Sequence, residues 1–524
     1  MRLLHGVLTA ACFALFACVS AHAQDGKVLR VAPHSNLVVL DPVWTTAYIT
    51  RNHGYLIYDT LFGTDERGVV KPQMVERWEV SRDRKVWTFT LRDGLEFHDG
   101  KPVTSEDVIA SLERWGKRDA MGGKLMSFVE RREAVNEKTF RFRLKEAYGL
   151  VLESLGKPGS NVPFIMPKRV AATPADRQIE DYTGSGPFIF KRDEWRPGEK
   201  IVYLRNPKYR PRKEPPSGTV GGKVAKVDRV EWVIIKDPQT QANALLNGEI
   251  DAIEAPAHEL YPSLRGSPDV HIVETNPRGF QAMLRFNHLQ PPFDNPKVRR
   301  AAMAALNQEA FLRVQVGQPD MYRTCFSVYP CTSSLFTTAA MDFIARPEPL
   351  RARQLLKESG YDGSKIVVMQ PTDLAVIAKL PVVATQLLRQ AGFNVDMQAM
   401  DWQTLLARRA KKDSPAQGGW NIFLTVWTAA DVADPVVNQS LAASCDKAWF
   451  GWPCDETLER LRDAYARAGT QAERKKIAED IQMRAMEIGT HAPLGEYVFP
   501  VAARKNVTGF VIGHFLTFWN VEKR

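Results

Sequence analysis

The chain of 524 residues is short of several features, and each shortage removes a class of function. Beyond its first two dozen residues it has no apolar run near the roughly 20 residues that cross a bilayer, so no membrane-spanning helix is expected. It has few cysteines, six in all, and none forms a C-x-x-C pair. The ten histidines are scattered. That spacing excludes the common zinc sites, and no metal and no cofactor are expected. Gly184-Ser185-Gly186-Pro187 is too short to cradle a phosphate and is not followed by the lysine such loops need. There is no G-x-S-x-G, no H-E-x-x-H and no cysteine–histidine arrangement, so the sequence offers no hydrolase motif. The net charge is +10, with 70 basic residues among 60 acids, but no basic stripe carries interleaved aromatics. Nucleic acid is therefore not an expected partner.

What is present begins with an export signal. Met1-Arg2 supplies a positive start, Val7 to Val19 an uncharged apolar run, and Ala21-His22-Ala23 a small-residue cleavage site, giving a mature chain from Gln24. Leu15-Phe16-Ala17-Cys18 partly resembles a lipobox, but bulky Phe16 argues against lipid anchoring at Cys18. Cleavage leaves four cysteines in an oxidising compartment, and proximity pairs them locally as Cys325–Cys331 and Cys445–Cys454. Hydrophobic content of 44% and charged content of 25% are those of a globular protein, and the length calls for more than one core.

Local patterns give an α/β chain. Val86 to Leu91 alternates as a half-buried strand does, Asp93-Gly94 and Asp99-Gly100 are turn pairs, and Thr104-Ser105-Glu106-Asp107 caps a helix. His98 in such a turn reads as hydrogen-bonded structure rather than as a ligand. Strand, helix and strand follow at Val227 to Ile235, Asp237 to Asn247 and Ile250 to Ile253. The same order recurs with helices at Leu350 to Ser359 and Ile377 to Gln390 and strands at Ile366 to Met369 and Phe393 to Met397.

The richest stretch runs from Gly419 to Cys454. Asn421 to Trp427 is an uncharged, β-branched and aromatic strand, and two acids, Asp431 and Asp434, follow its end in a loop closed by Pro435. Either Asp431 caps the following turn with Trp427 in the core, or it holds a ligand cation beside Trp427. A carboxylate pair for glycosidase chemistry is the enzymatic alternative, but acids three residues apart in one loop do not fit it.

The spacing W-T-A-A-D-V-A-D-P resembles the periplasmic dipeptide- and oligopeptide-binding proteins of bacterial ABC importers, solute-binding protein family 5. So do "LRVAPHSNLVVLDPVWTT", "YDTLFGTDERGVVKPQMVERWEVSRDRKVWTFTLRDGLEFHDGKPVTSEDV", the G-x-G-P-F element and "FQAMLRFNHLQPPFDNPKVRRAAMAALNQEAF". The closing Phe518-Trp519-Asn520 resembles that family's C-terminal strand, so the likeness covers about residues 27 to 523. It implies a type II periplasmic-binding fold, with two α/β lobes joined by a hinge and an extra inserted lobe. The implied division is a signal peptide at 1–23, lobe I at 24–59, 180–276 and 494–524, lobe II at 60–179, and lobe III at 277–493. It further implies a monomeric, periplasmic, non-enzymatic receptor. Such a receptor captures a peptide or related amine-bearing solute and delivers it to a permease and ATPase in the inner membrane. A metal-chelate, opine or sugar receptor of the same fold is the alternative. By this likeness Asp431 receives the ligand's α-ammonium, with Asp434 as fallback, and Trp427, Trp44, Tyr48 and Phe280 are further ligand-binding candidates. The family's carboxylate-binding arginine has no counterpart at Gln370 to Leu374, and Arg278, Arg285 and Arg323 are the substitutes considered.

Overall fold

The computed structural model describes residues 27–524, and the expected export signal with Cys12 and Cys18 lies outside the described residues. Three sheets organise the chain. The first has seven strands in the order Phe188–Phe190, Lys200–Arg205, Arg229–Val233, Val28–Ala32, Ala252–Ile253, Val501–Arg504 and Val270–Val273. Val28–Ala32 runs parallel to both its neighbours, as strands joined through helices do. The second is a four-stranded antiparallel sheet of Val75–Val80, Val86–Leu91, Thr139–Leu144 and Val129–Asn136. The third has six strands in the order Tyr322–Arg323, His491–Tyr497, Phe280–Phe286, Ile422–Thr428, Ile366–Pro371 and Val395–Met400. Lobe I, lobe II and lobe III denote the parts of the chain that carry the first, second and third sheet.

Lobe I returns to lobe III by two chain segments that run side by side. Val273 pairs with Val501 in the first sheet, and Phe280 pairs with Tyr497 in the third. The crossings are therefore residues 274–279 and 498–500. His491–Tyr497 belongs to the lobe III sheet, so the boundary expected at 494 moves to 498.

Local sequence explains the elements that frame the cleft. Helix Ser105–Gly116 starts on a capping box in which the Thr104 hydroxyl accepts from the Asp107 N–H and the Asp107 carboxylate accepts from the Thr104 N–H. Helix Pro238–Asn247 starts on Asp237 and stops at Gly248, whose φ of 78° suits glycine. Helix Leu380–Gln390 begins three residues later than the pattern from Ile377 predicts, with Pro381 in its first turn. Helix Tyr48–Ile57 is buried at nearly every position because lobe I wraps it. Its end meets the Gly184-Ser185-Gly186 turn, and a Cβ on Gly184 would stand 1.7 Å from the Ile57 carbonyl oxygen. The glycines there serve helix packing, and His98 completes the turn by accepting from the Gly184 N–H at 3.3 Å. Phe518-Trp519-Asn520 does not form a strand: Asn520 turns with φ 65°, and Trp519 is buried in the lobe I core. Both expected disulfides, Cys325–Cys331 and Cys445–Cys454, are formed.

Candidate functional site

Strand Ile422–Thr428 is buried at every residue. It pairs antiparallel with Phe280–Phe286 on one side and parallel with Ile366–Pro371 on the other, which explains its unbroken apolar pattern. A turn closes at its end, where the Asp431 N–H donates to the Thr428 carbonyl at 2.9 Å. This turn folds the Asp431 carboxylate back over the strand end.

Asp431 is only 3% exposed, and both its oxygens are filled. Oδ2 accepts from the Tyr48 hydroxyl at 2.7 Å and the Thr428 hydroxyl at 2.8 Å. Oδ1 accepts from the Ser160 N–H at 2.7 Å and the Ser160 hydroxyl at 3.0 Å. Tyr48 stands on lobe I, Ser160 on lobe II and Asp431 on lobe III. One carboxylate thus ties three lobes together. The Tyr48 oxygen also accepts from the Thr428 N–H at 2.7 Å. Burial, and next the charge of Asp431, hold the Tyr48 phenol well above its ordinary pKa. The acid expected at an open crevice edge is instead enclosed, because the inserted lobe lays its Gly159-Ser160 backbone on it.

The other candidates divide. Trp427 lines an interlobe cavity, packed edge-on against Tyr48 at 6.2 Å and tilted against Trp449 at 5.0 Å. Asp434 accepts from the Val436 and Val437 N–H groups at 2.8 and 3.0 Å and shapes the turn at Pro435, with burial raising its carboxyl. Trp44 lies outside the cavity wall, beneath the Arg118 guanidinium at 4.8 Å. Phe280 is also outside the wall, and braces Tyr48 at 6.4 Å and Phe499 at 5.7 Å beside the crossings.

The cavity lies between lobes I and III. His34, Thr46 and Tyr48 face it from lobe I. Trp402, Trp427, Trp449 and Arg409 face it from lobe III. Arg409 is the residue that sequence reasoning missed. It ends helix Trp402–Arg409, where the helix dipole favours a cation, and is 3% exposed. Its Nη2 donates to the Thr46 hydroxyl at 3.1 Å, and its guanidinium lies 4.7 Å from the Phe450 ring and 5.6 Å from the Trp449 ring. Its Nε has no partner among the described residues. Burial pulls the guanidinium down to about 9.

The arginines considered as substitutes are engaged elsewhere. Arg285 donates to the carbonyls of Phe450, Ser440, Thr490 and Trp449. Arg323 pairs with Glu496 at 2.6 Å, and Arg278 donates to the Arg67 carbonyl. Cys325, Cys331 and Glu496 lie close enough to suggest a metal site, but the disulfide removes both thiolates.

Comparison with known proteins agrees with this geometry. The profile of the bacterial extracellular solute-binding proteins, family 5, matches residues 69–449. A probable peptide ABC transporter periplasmic-binding protein of Sinorhizobium fredii is 40% identical over 513 residues, covering 96% of this chain and 94% of that protein. The di/tripeptide-binding protein 2 of Pseudomonas aeruginosa is 24% identical, with 94% of each chain covered. Among solved structures, an Agrobacterium tumefaciens periplasmic binding protein in complex with agropinic acid superposes with a TM-score of 0.80 at 24% identity, covering 95% of this chain and 99% of that one. A dipeptide-binding protein of Pseudoalteromonas in complex with Met-Leu gives 0.79 at 22%, covering 95% of this chain and 100% of that one. The chain belongs to family 5 of the bacterial extracellular solute-binding proteins.

Proposed function

We propose that this protein is the substrate-binding component of an ABC importer, and that it captures a short peptide or peptide-like solute between lobes I and III for delivery to a membrane permease and its ATPase. The cavity at the carboxyl end of strand Ile422–Thr428 carries this reading. That end of an open α/β sheet is where ligands of such folds bind. The cavity's walls of Trp402, Trp427, Trp449 and Tyr48 give flat apolar surface, and relatives of this chain are named for peptides. In this reading the protein acts in the periplasm as a monomer and releases its solute unchanged. Trp427 is an apolar wall, and Asp431 joins the lobes once they have closed.

The test is to purify the protein without denaturation and identify any retained solute by mass spectrometry. Di- and tripeptides are then titrated into the emptied protein by calorimetry, with small-angle scattering on the same samples. Saturable one-to-one binding with compaction and no turnover is expected. Catalytic consumption of the peptides, or binding with no compaction, would refute the receptor reading.

A further inference from the structure

Turns of two lobes meet at the end of the first sheet that lies opposite the cavity. Strand Lys200–Arg205 runs antiparallel to Arg229–Val233, which runs parallel to Val28–Ala32. The chain leaving Arg205 therefore emerges at the Val28 end, whereas His34 of the cavity wall follows the other end, at Ala32. The segment 206–216 brings Lys208, Arg210, Arg212 and Lys213 against one acid, Glu214. The lobe II turn of residues 92–102 packs on it and adds Arg92 and Lys101. Arg92 Nη2 donates to the Arg210 carbonyl at 3.1 Å, and a Cβ on Gly100 would stand 3.5 Å from Lys208 Nζ.

Two of these cations build the seam and the rest are left over. Arg92 Nε and Arg212 Nη1 both donate to the Gln73 carbonyl, at 2.9 and 3.0 Å, and so fix the two turns to each other. The neighbouring acids are taken: Asp93 pairs with Lys138 at 2.5 Å, Asp99 with Arg169 at 3.1 Å and Glu214 with Arg212 at 3.1 Å. Half-buried Glu96 is the remaining acid of the lobe II turn. Lys101, Lys208, Arg210 and Lys213 are exposed and without an ion-pair partner among the described residues. Gathered on one seam, they leave a positive potential that the protein does not balance.

What the patch lacks selects its partner. Tyr209 is the one aromatic residue of the segment, and its hydroxyl donates to the buried Asp59 carboxylate at 2.8 Å, which turns the ring inward. Without an exposed ring to stack a base, the patch does not suit a nucleic acid strand. It also has no aromatic anchor at its centre, and lysine is depleted where proteins meet proteins. Exposed cations on a fixed backbone suit an array of anionic headgroups, which asks for charge density and not for shape. We propose that this seam docks the receptor on anionic phospholipid. Docking by the end opposite the cavity leaves the cleft free to load, and it keeps the receptor at the membrane that holds its permease. The inference goes beyond the importer reading, and its test uses no solute, so its failure leaves that reading standing.

The mature protein is co-sedimented with vesicles of phosphatidylcholine alone and of phosphatidylcholine with an equal part of phosphatidylglycerol. Partition onto the anionic vesicles should exceed that onto the neutral ones by at least about tenfold, and should fall as added salt shortens the screening length. Replacing Lys208, Arg210 and Lys213 together by glutamine should lower the anionic partition by at least about tenfold. The control removes the same charge from the exposed surface of lobe III, as Arg351→Gln, Lys357→Gln and Lys365→Gln, and should stay within about threefold of the parent. Equal loss in both triple variants would show that net charge and not this seam attracts the protein, and would overturn the proposal. So would equal partition onto both kinds of vesicle, or none onto either. Release by inorganic phosphate at matched ionic strength would mean a phosphate site, and binding only to vesicles that carry membrane protein would mean a protein partner; each overturns the lipid assignment. The vesicle and salt series need no variant, so a poorly folded triple variant does not spoil the test.

Discussion

A single glycine sets how closely lobes II and III approach. A Cβ on Gly159 would stand 2.0 Å from Asp431 Oδ1, although its backbone conformation is one that other residues adopt. In Gly159→Ala the carboxylate must retreat by about 1 Å or more to reach ordinary contact, so the closed arrangement should be lost while each lobe stays folded. Scattering should show a larger radius of gyration and titration a weaker affinity, and an unchanged radius would refute the clamp. Asp431→Asn tests the same clamp electrostatically. An amide oxygen cannot receive all four donors, and one stranded buried donor should lower stability by about 2 kcal/mol in urea unfolding. A variant as stable as the parent would mean that Asp431 does not tie the lobes. Trp427 and Asp431 stood out in the sequence because an acid and an aromatic residue at a strand end are unusual. Arg409 did not, since Arg408-Arg409 followed by Lys411-Lys412 looks like a solvated charge run. Helical spacing held the signal: Trp402, Leu405 and Arg409 share one buried face.

At the scale of elements, the segment from Gln439 to Cys454 shows what local sequence does not record. It carries Trp449 to the cavity and has little regular structure, with two 3₁₀ turns and a disulfide. What shapes it is Arg285 on the central strand Phe280–Phe286, fully buried, with Nε on the Phe450 carbonyl at 2.7 Å and Nη1 on Ser440 and Thr490 at 2.8 and 2.9 Å. Arg285→Leu strips these carbonyls of donors and should destabilise by about 3 kcal/mol or more, with loss of ligand affinity as Trp449 shifts. Replacing both Cys445 and Cys454 by alanine removes a short loop closure worth about 2–3 kcal/mol and should spare affinity, because Arg285 still holds the segment. Equal loss of affinity in both variants would show that the disulfide, not the arginine, positions Trp449. Caps and turn glycines were readable from neighbours in sequence. The arginine's partners lie more than 150 residues away and could not be read this way.

The whole molecule was legible in outline because its signatures are spread along the chain, from the Asp99-Gly100 turn to the acid-bearing strand end. Its closure was not, because that depends on contacts among three lobes. Acid stability is also a property of the whole. His53, His491 and His514 are buried neutral, with burial pulling each down to about 3, and His98 and His258 are held at about 4 for the same first reason. They are distributed over all three lobes, so no lobe escapes their effect. In the unfolded chain each takes up a proton below its ordinary value near 6.5, while the folded protein refuses it until the pH nears 4 or 3. The unfolded state then binds more protons, so stability is complete above about 6.5 and falls as the pH drops. Each histidine can contribute up to about 1.4 kcal/mol per pH unit once the pH is well below its unfolded value. Most structural carboxylates titrate nearer their ordinary values of about 4, while Asp119, Glu153, Glu274 and Asp434, raised by burial, take up protons more readily in the folded state and oppose the fall, so a net loss between pH 6.5 and 5 reports the histidines. Urea midpoints measured across that window should fall steadily, by an amount equivalent to on the order of 1–2 kcal/mol for each histidine at pH 5. His514→Gln, which keeps a polar group near the Thr64 hydroxyl now 2.9 Å away, should flatten the slope by one histidine's share. A midpoint that stays constant from pH 6.5 to 5 would show that these rings accept their protons in the folded state.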